Sequence, residues 1–248
     1  MFLVDNSMKN INNPSEKIII ALDGMDKNNV FNLLEKIPEI TWVKVGLELF
    51  VSEGPDVLSL LRDKGKKIFL DLKFHDIPTT VAKACFSASK TGAEFISLHI
   101  CAGTKALKMA NEAAHEGAAK VNLKPPKLLG ITILTSWTSE SFANDLLINQ
   151  SIDQRVLHLA DIASKSGLGG CVCSPREVQF LRKVYPESFE LITPGIRTLG
   201  SNSNDQSRIS DASEAFKMGA SKLVIGRAIT QSNDPSYMFK SFCDKVVI

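Results

Sequence analysis

The stretch KIFLDLKFHDIPTTVAKACFSASKTGAEFISLH (residues 67–99) decides the fold. It opens on an apolar run, KIFLDL (67–72), passes through a charged turn, and continues as VAKACFSASKTGA (81–93), with apolar residues at helical spacing and a closing glycine. It ends on a second apolar run, EFISLH (94–99). Strand, helix and strand in that order need a crossover connection, so the two strands lie parallel. The same unit recurs in both directions along the chain. Further strand candidates are KIIIAL (17–22), WVKVG (42–46), LLGITIL (128–134), GGCVCS (169–174), ELITPG (190–195) and KLVIG (222–226). Helical patterns occupy VLSLLRDKG (57–65), ALKMANEAAHEGA (106–118) and Ala212 to Ala220. Eight strands alternating with helices predict an α/β fold, a single (β/α)8 barrel, with an open doubly wound sheet as the alternative. Residues 1–15 are polar and rich in asparagine, which predicts a flexible N-terminal extension ahead of a catalytic barrel domain over 16–248.

A chain of 248 residues with 44% hydrophobic content can bury one full-sized core. Lys and Arg total 29 against 27 Asp and Glu, a net charge of +2, so no bulk field favours nucleic acid or an acidic membrane surface. Any anionic ligand must be held by local groups. The N-terminus lacks the apolar core of a signal peptide, and no stretch approaches the roughly 18 apolar residues of a spanning helix. The expectation is a soluble cytoplasmic protein. Five cysteines, an odd number scattered through apolar segments, read as reduced core residues. Cys171 and Cys173 form a CxC without a second pair, and His75, His99, His115 and His158 show no ligand spacing, so no metal site is expected.

In a barrel of this kind, polar residues at the C-terminal ends of strands carry chemistry. Asp23 follows the first strand, and Lys44 lies inside the second between Val43 and Val45, where its ammonium must be paired or reach the mouth. Asp71 and Lys73 close the third strand, and their shared parity predicts side chains on one side of the extended chain. With Asp76 and Lys44 they have balanced charge and could form an alternating network that keeps every member ionised. His75 reads as an orienting or packing histidine. His99 ends the fourth strand, Thr135 and Ser136 the fifth, Ser174 the sixth. Pro194, Gly195 and Arg197 follow the seventh strand, Gly226 and Arg227 the eighth. The last two loops of such barrels commonly cradle phosphate, and Arg227 would add a bidentate charge, with Arg197 and Gln206 in the neighbouring loop. The gaps from Leu134 to Gly169 and from Gly195 to Lys222 are candidate active-site loops.

Taken in order, IIIALD (18–23), VKVG (43–46), FLDLKFHDIPTTV (69–81), ITILTS (131–136), VCS (172–174), ITPGIR (192–197), DQSR (205–208) and LVIGRAITQS (223–232) resemble the bacterial orotidine 5'-phosphate decarboxylase family over nearly the whole chain. The resemblance implies a homodimeric barrel that converts orotidine 5'-phosphate to UMP and carbon dioxide, the last step of UMP synthesis, with no metal or organic cofactor. It implies Lys73 as the proton donor to C6, Asp71 as the acid beside the substrate carboxylate, and Lys44 and Asp76 as the rest of a charged tetrad, with Asp76 supplied by the partner chain. Asp23, Ile77 and Thr80 match substrate-binding positions, Thr135 and Ser136 the pyrimidine-side loop. Pro194, Arg197, Gln206, Gly226 and Arg227 match the phosphate side. Thr79 and Leu47 depart from the family's usual asparagine and polar residue. Magnesium-dependent sugar-phosphate decarboxylases and synthases share the DxKxxD spacing, but the FHDIP continuation favours the orotidine branch. A non-catalytic nucleotide-binding barrel would be expected to have lost a tetrad member, and all four are present.

Overall fold

The structure, a computed structural model, describes residues 13–196 and 212–246. Among them eight strands pair in sequence order: β1 (Ile18–Ala21), β2 (Trp42–Gly46), β3 (Lys67–Phe74), β4 (Phe95–His99), β5 (Lys127–Ile131), β6 (Gly170–Val172), β7 (Glu190–Thr193) and β8 (Lys222–Ile225). All pairings are parallel, and β8 returns to pair with β1, which closes the sheet and rules out the open alternative. The expected (β/α)8 barrel is thus the observed one. Its outer helices are α1 (Lys27–Lys36), α2 (Leu47–Glu53), α3 (Asp56–Asp63), α4 (Pro78–Ser89), α5 (Thr104–Ala119), α6 (Ser139–Leu146), α7 (Ile152–Lys165), α8 (Pro175–Val184), α9 (Ala212–Lys217), α10 (Arg227–Thr230) and α11 (Pro235–Asp244). Among the described residues no helix is long and apolar enough to cross a membrane.

The strands are apolar on both faces because both faces are covered, as parallel sheets require. One parity points into the lumen, where Ile19, Trp42, Phe69, Phe95, Leu129, Ile192 and Val224 form a closed cluster. Trp42 and Phe95 stack there with ring centroids 4.6 Å apart. The other parity, including Ile18, Ile20, Val43, Ile68, Leu70, Ile96 and Leu128, packs outward under the helices. Among those helices, α4 and α5 approach closely, because a Cβ at Gly117 would overlap Ser89 Oγ and the Phe86 carbonyl. The site depends on this alternation. Two residues beyond the lumen layer, the same parity brings Lys44 above Trp42, Asp71 above Phe69 and Ser97 above Phe95.

Sequence and structure differ at several points. LLGITIL and GGCVCS end as strands at Ile131 and Val172, because the chain after each turns away to shape the mouth. All five cysteines are free, but only Cys85, Cys171 and Cys173 are core residues. Cys101 is exposed, since it lies in the single turn Ile100–Ala102 beyond β4, and Cys243 is half-buried on α11. Residues 13–15 were expected in a loose extension, yet they pack. A 3-10 turn at Pro14–Lys17 buries Ser15, whose hydroxyl meets Thr41 Oγ1 at 2.7 Å. Residues 1–12 lie outside the described residues.

This turn seals the bottom of the barrel. Glu16 pairs with Lys67 at 2.8 Å and accepts from Trp42 Nε1 at 2.8 Å. Burial pushes its carboxyl up, but the hydrogen bonds and charges of Lys67, Trp42 and Lys222 outweigh that and hold it below its ordinary value. Lys222 lies over the Trp42 ring at 4.6 Å and donates to the Glu16 carbonyl. Burial there lowers its ammonium to about 8, against the partial support of Glu190 and Glu16. Because the folded value lies below the unfolded one, the unfolded chain binds more protons between the two. Stability from this group therefore rises as pH climbs from about 8 to 10.5. Chemical denaturation of wild type and Lys222→Met across that window should show the difference in unfolding free energy moving in favour of wild type. A pH-independent difference would contradict the assignment.

Candidate active site

The mouth of the barrel, at the C-terminal ends of the strands, holds a cleft of about 440 Å³. Its charged wall is built by the first three strands. Lys44, only 7% exposed, donates to Asp23 Oδ1 at 2.8 Å and lies 3.6 Å from Asp71 Oδ2. Asp71, 6% exposed, accepts from Lys73 Nζ at 2.7 Å through the same oxygen. Asp23, Lys44, Asp71 and Lys73 thus alternate in sign along one wall of the cleft. A buried lysine is stable only with such partners. The glycine at 46 leaves space for them, because a Cβ there would overlap Asp23 Oδ1 and stand 2.9 Å from Lys44 Nζ. Gly46 is registered against Asp71 across the β2–β3 pairing, so the vacated volume lies beside the ion chain.

Burial raises the tendency of Asp71 to protonate, but the charges of Lys73 and Lys44, with hydrogen bonds from Lys73 and Ser97, outweigh it. The carboxyl is held below its ordinary range and stays ionised at neutral pH. Ser97, wholly buried, donates to Asp71 Oδ1 at 2.7 Å and accepts from the Lys73 backbone N–H at 2.9 Å. The simple pleat expected for Asp71 and Lys73 is not what brings them together. The β3–β4 register advances four residues on β3, from Leu70 to Phe74, against two on β4, from Ile96 to Leu98. Lys73 sits in this bulge with φ of 51°, in the left-handed region. Such a conformation costs a non-glycine residue roughly 1–2 kcal/mol.

The opposite side of the cleft is formed by Thr135, Pro194, Gly195, Gly226 and Arg227, with Ile131, Val172 and Val224 at its floor. Of the residues expected from sequence, the structure therefore brings together Asp23, Lys44, Asp71, Lys73, Thr135, Pro194, Gly226 and Arg227. Asp76, Ile77, Thr80 and Ser136 do not line the cleft within this one chain. Asp76 is exposed, and its carboxylate accepts from the N–H of the adjoining Ile77 at 2.6 Å. Within this one chain the alternating network runs Asp23, Lys44, Asp71, Lys73 and does not include Asp76. Arg197 and Gln206 lie outside the described residues. Ser174 is buried at the start of α8, where its N–H donates to Glu177 Oε2 at 2.8 Å, and it serves the helix rather than the cleft. Gln231, just past α10, lines the cleft and was not singled out by sequence, although it lies four residues from Arg227. Ser97 was also missed. Its signal was its parity, two residues beyond Phe95 on the lumen side.

A matching family model, described as orotidine 5'-phosphate decarboxylase / HUMPS family, spans residues 16–242. The chain belongs to this family. A protein of Prochlorococcus marinus (strain NATL1A) named orotidine 5'-phosphate decarboxylase is 86% identical over 241 residues, which cover 97% of this chain and all of that protein. One of the same name from Parasynechococcus marenigrum is 50% identical over 234 residues, 94% of this chain and 95% of that one. Among solved structures, the orotidine 5'-phosphate decarboxylase of Lactobacillus acidophilus superposes with a TM-score of 0.83 at 34% identity, covering 94% of this chain and all of the other. The family membership and the barrel agree with the resemblance read from the motifs.

His99, at the end of β4, adds a pH-sensitive element beside this wall. Its ring lies 5.1 Å from that of the exposed His75. Burial first, then the neighbouring His75 and Lys73, lower the His99 imidazole to about 4, with Asp71 opposing. The folded value is below the ordinary 6.5, so the folded chain binds fewer protons, and stability is lost as pH falls from about 6.5 toward 4. Thermal unfolding from pH 7 to 4 should show a steeper decline for wild type than for His99→Asn. Parallel declines would remove His99 from the account.

Proposed function

We propose that this chain decarboxylates orotidine 5'-phosphate to UMP and carbon dioxide, the final step of UMP synthesis, as a cytoplasmic enzyme that needs no metal or organic cofactor. The catalytic unit is the barrel together with the turn at Pro14–Lys17 that closes its base. The observation that carries the reading is the alternating ion chain from Asp23 to Lys73, facing Gly226 and Arg227 across one cleft.

Loss of carbon dioxide from C6 leaves an electron pair in the plane of the pyrimidine ring, where the π system cannot take it up. Stabilisation must act through space. Lys73, with its side chain partly open to the cleft and its amine held by Asp71, is the group that faces the developing carbanion and then delivers a proton to C6. A unit charge at about 4 Å contributes roughly 4 kcal/mol at an effective dielectric near 20. Asp71 stands beside the departing carboxylate and contributes a repulsion of similar size. Neither approaches the ~20 kcal/mol of a large enzymatic acceleration. The remainder comes from a charge array already in place before substrate arrives and from phosphate binding energy realised at the transition state. Arg227, Gly226 and Pro194, with Arg197 and Gln206, hold the phosphate. Asp23 and Thr80 serve the ribose, Ile77 the rim, and Thr135 with Ser136 the pyrimidine.

A spectrophotometric assay with orotidine 5'-phosphate should show turnover that EDTA leaves unchanged. Loss of activity in chelator would favour the magnesium-dependent members of the superfamily. Lys73→Ala should abolish turnover while UMP still binds by calorimetry, and near-normal activity in that variant would remove Lys73 from the proton-donor role.

The chain acts as a homodimer in which Asp76 completes the partner's site. What supports this is that Asp76 is exposed and outside its own chain's cleft, while Leu47, Val51 and Ile77, beyond the ends of β2 and β3, are exposed apolar side chains. Mixing inactive Lys73→Ala and Asp76→Ala proteins should restore activity, because one site in each mixed dimer then regains both wild-type groups. No recovery on mixing would mean that Asp76 acts within its own chain.

A further inference from the structure

The bulge in β3 places a demand on its neighbour. Three residues of β3 oppose one of β4, Ser97, between the Leu70–Ile96 and Phe74–Leu98 pairs, so the regular ladder is interrupted at Asp71, Leu72 and Lys73. Left unanswered, the Lys73 N–H would be an orphan donor in a largely buried place, which costs about 1–3 kcal/mol. Ser97 Oγ answers it at 2.9 Å, and with its own hydrogen it donates to Asp71 Oδ1 at 2.7 Å. A hydroxyl can accept and donate at once, and here it does so to partners 24 and 26 residues away in the chain.

We infer that Ser97 is a positioning residue for the reaction: one hydroxyl clamps the left-handed backbone of Lys73 and the rotation of the Asp71 carboxylate together. Holding Oδ1 on Ser97 turns Oδ2 toward the two ammonium groups, 2.7 Å from Lys73 and 3.6 Å from Lys44. Ser97 has no exposed surface and does not line the cleft, so it acts through Asp71 and Lys73 and does not touch substrate. This rests on the decarboxylase reading for its consequence in rate, but the clamp itself is a property of the free protein.

The test compares wild type, Ser97→Ala and Ser97→Thr in three measurements: kcat with orotidine 5'-phosphate, the Kd of UMP, and the crystal structure of the ligand-free protein. Ser97→Ala should lower kcat by about 10- to 100-fold, the scale of a reacting group misplaced by an ångström or less. Its Kd for UMP should stay within about twofold of wild type, because UMP lacks the carboxylate and is held mainly from the phosphate side. Its crystal structure should show the Asp71 carboxylate rotated or the Lys73 ammonium out of hydrogen-bond reach of it. Ser97→Thr keeps the hydroxyl and should restore most of kcat. The inference is overturned if Ser97→Ala keeps wild-type kcat, if its loss lies wholly in UMP affinity, or if threonine fails to recover what alanine loses. Were wild type itself inactive on orotidine 5'-phosphate, the decarboxylase reading would fall, and an undisturbed Asp71–Lys73 pair in the Ser97→Ala crystal would separately overturn the clamp.

Discussion

The mouth of this barrel is organised around one buried carboxylate. Asp71 is removed from water, a condition that by itself would drive it to take up a proton, and it stays charged because two ammonium groups and a hydroxyl converge on its oxygens. The dependence is mutual. Lys44 is equally buried and would be untenable without Asp71 on one side and Asp23 on the other. Because Lys44 and Asp71 each share two partners, the array is a cooperative unit whose members cannot be assigned separate energies.

The rest of the fold serves this arrangement by dividing labour along the barrel axis. At the bottom, Glu16, Lys67, Trp42 and Lys222 close the lumen with hydrogen bonds and stacked charge, and nothing there opens into the cleft. In the middle, the Trp42, Phe69 and Phe95 rings fill the lumen and fix the strands from which the mouth residues rise. At the top, the same inward parity continues, but the residue types change from aromatic to ionic. Rigidity in the middle layer is what lets charges stand close together at the mouth without reorganising when substrate arrives.

Much of this was legible in the sequence. Apolar runs of strand length alternating with helical segments admit few packings, and a parallel sheet of eight closes naturally into a barrel, so KIIIAL, WVKVG and KIFLDL read as strands from their residues alone. Lys44 flanked by valines announced a paired charge. The partner was less legible. Asp23 entered as a substrate-binding position, and its role as the counter-ion of Lys44 arises only because β1 and β2 are adjacent, with Ala21 registered on Lys44. Ser97 is a small polar residue in an apolar strand, and its parity places it on the lumen side, but its role appears only when the β3 bulge brings the Lys73 N–H to it. Asp76 was grouped with the tetrad on charge balance and on the family resemblance, and in the single chain its carboxylate meets only the N–H of the adjoining Ile77.

What the sequence determined by itself was the alternation of strands and helices, the residue types at the strand ends and the family to which those motifs belong, because each is a local pattern of spacing and polarity. What only the tertiary structure decided was which charges meet. Strict alternation would already have put Asp71 and Lys73 on one side of β3, but the strand is bulged there. Their 2.7 Å contact depends on the bulge, a left-handed backbone at Lys73, and a hydroxyl from the next strand. Those are long-range interactions, and no reading of neighbouring residues contains them.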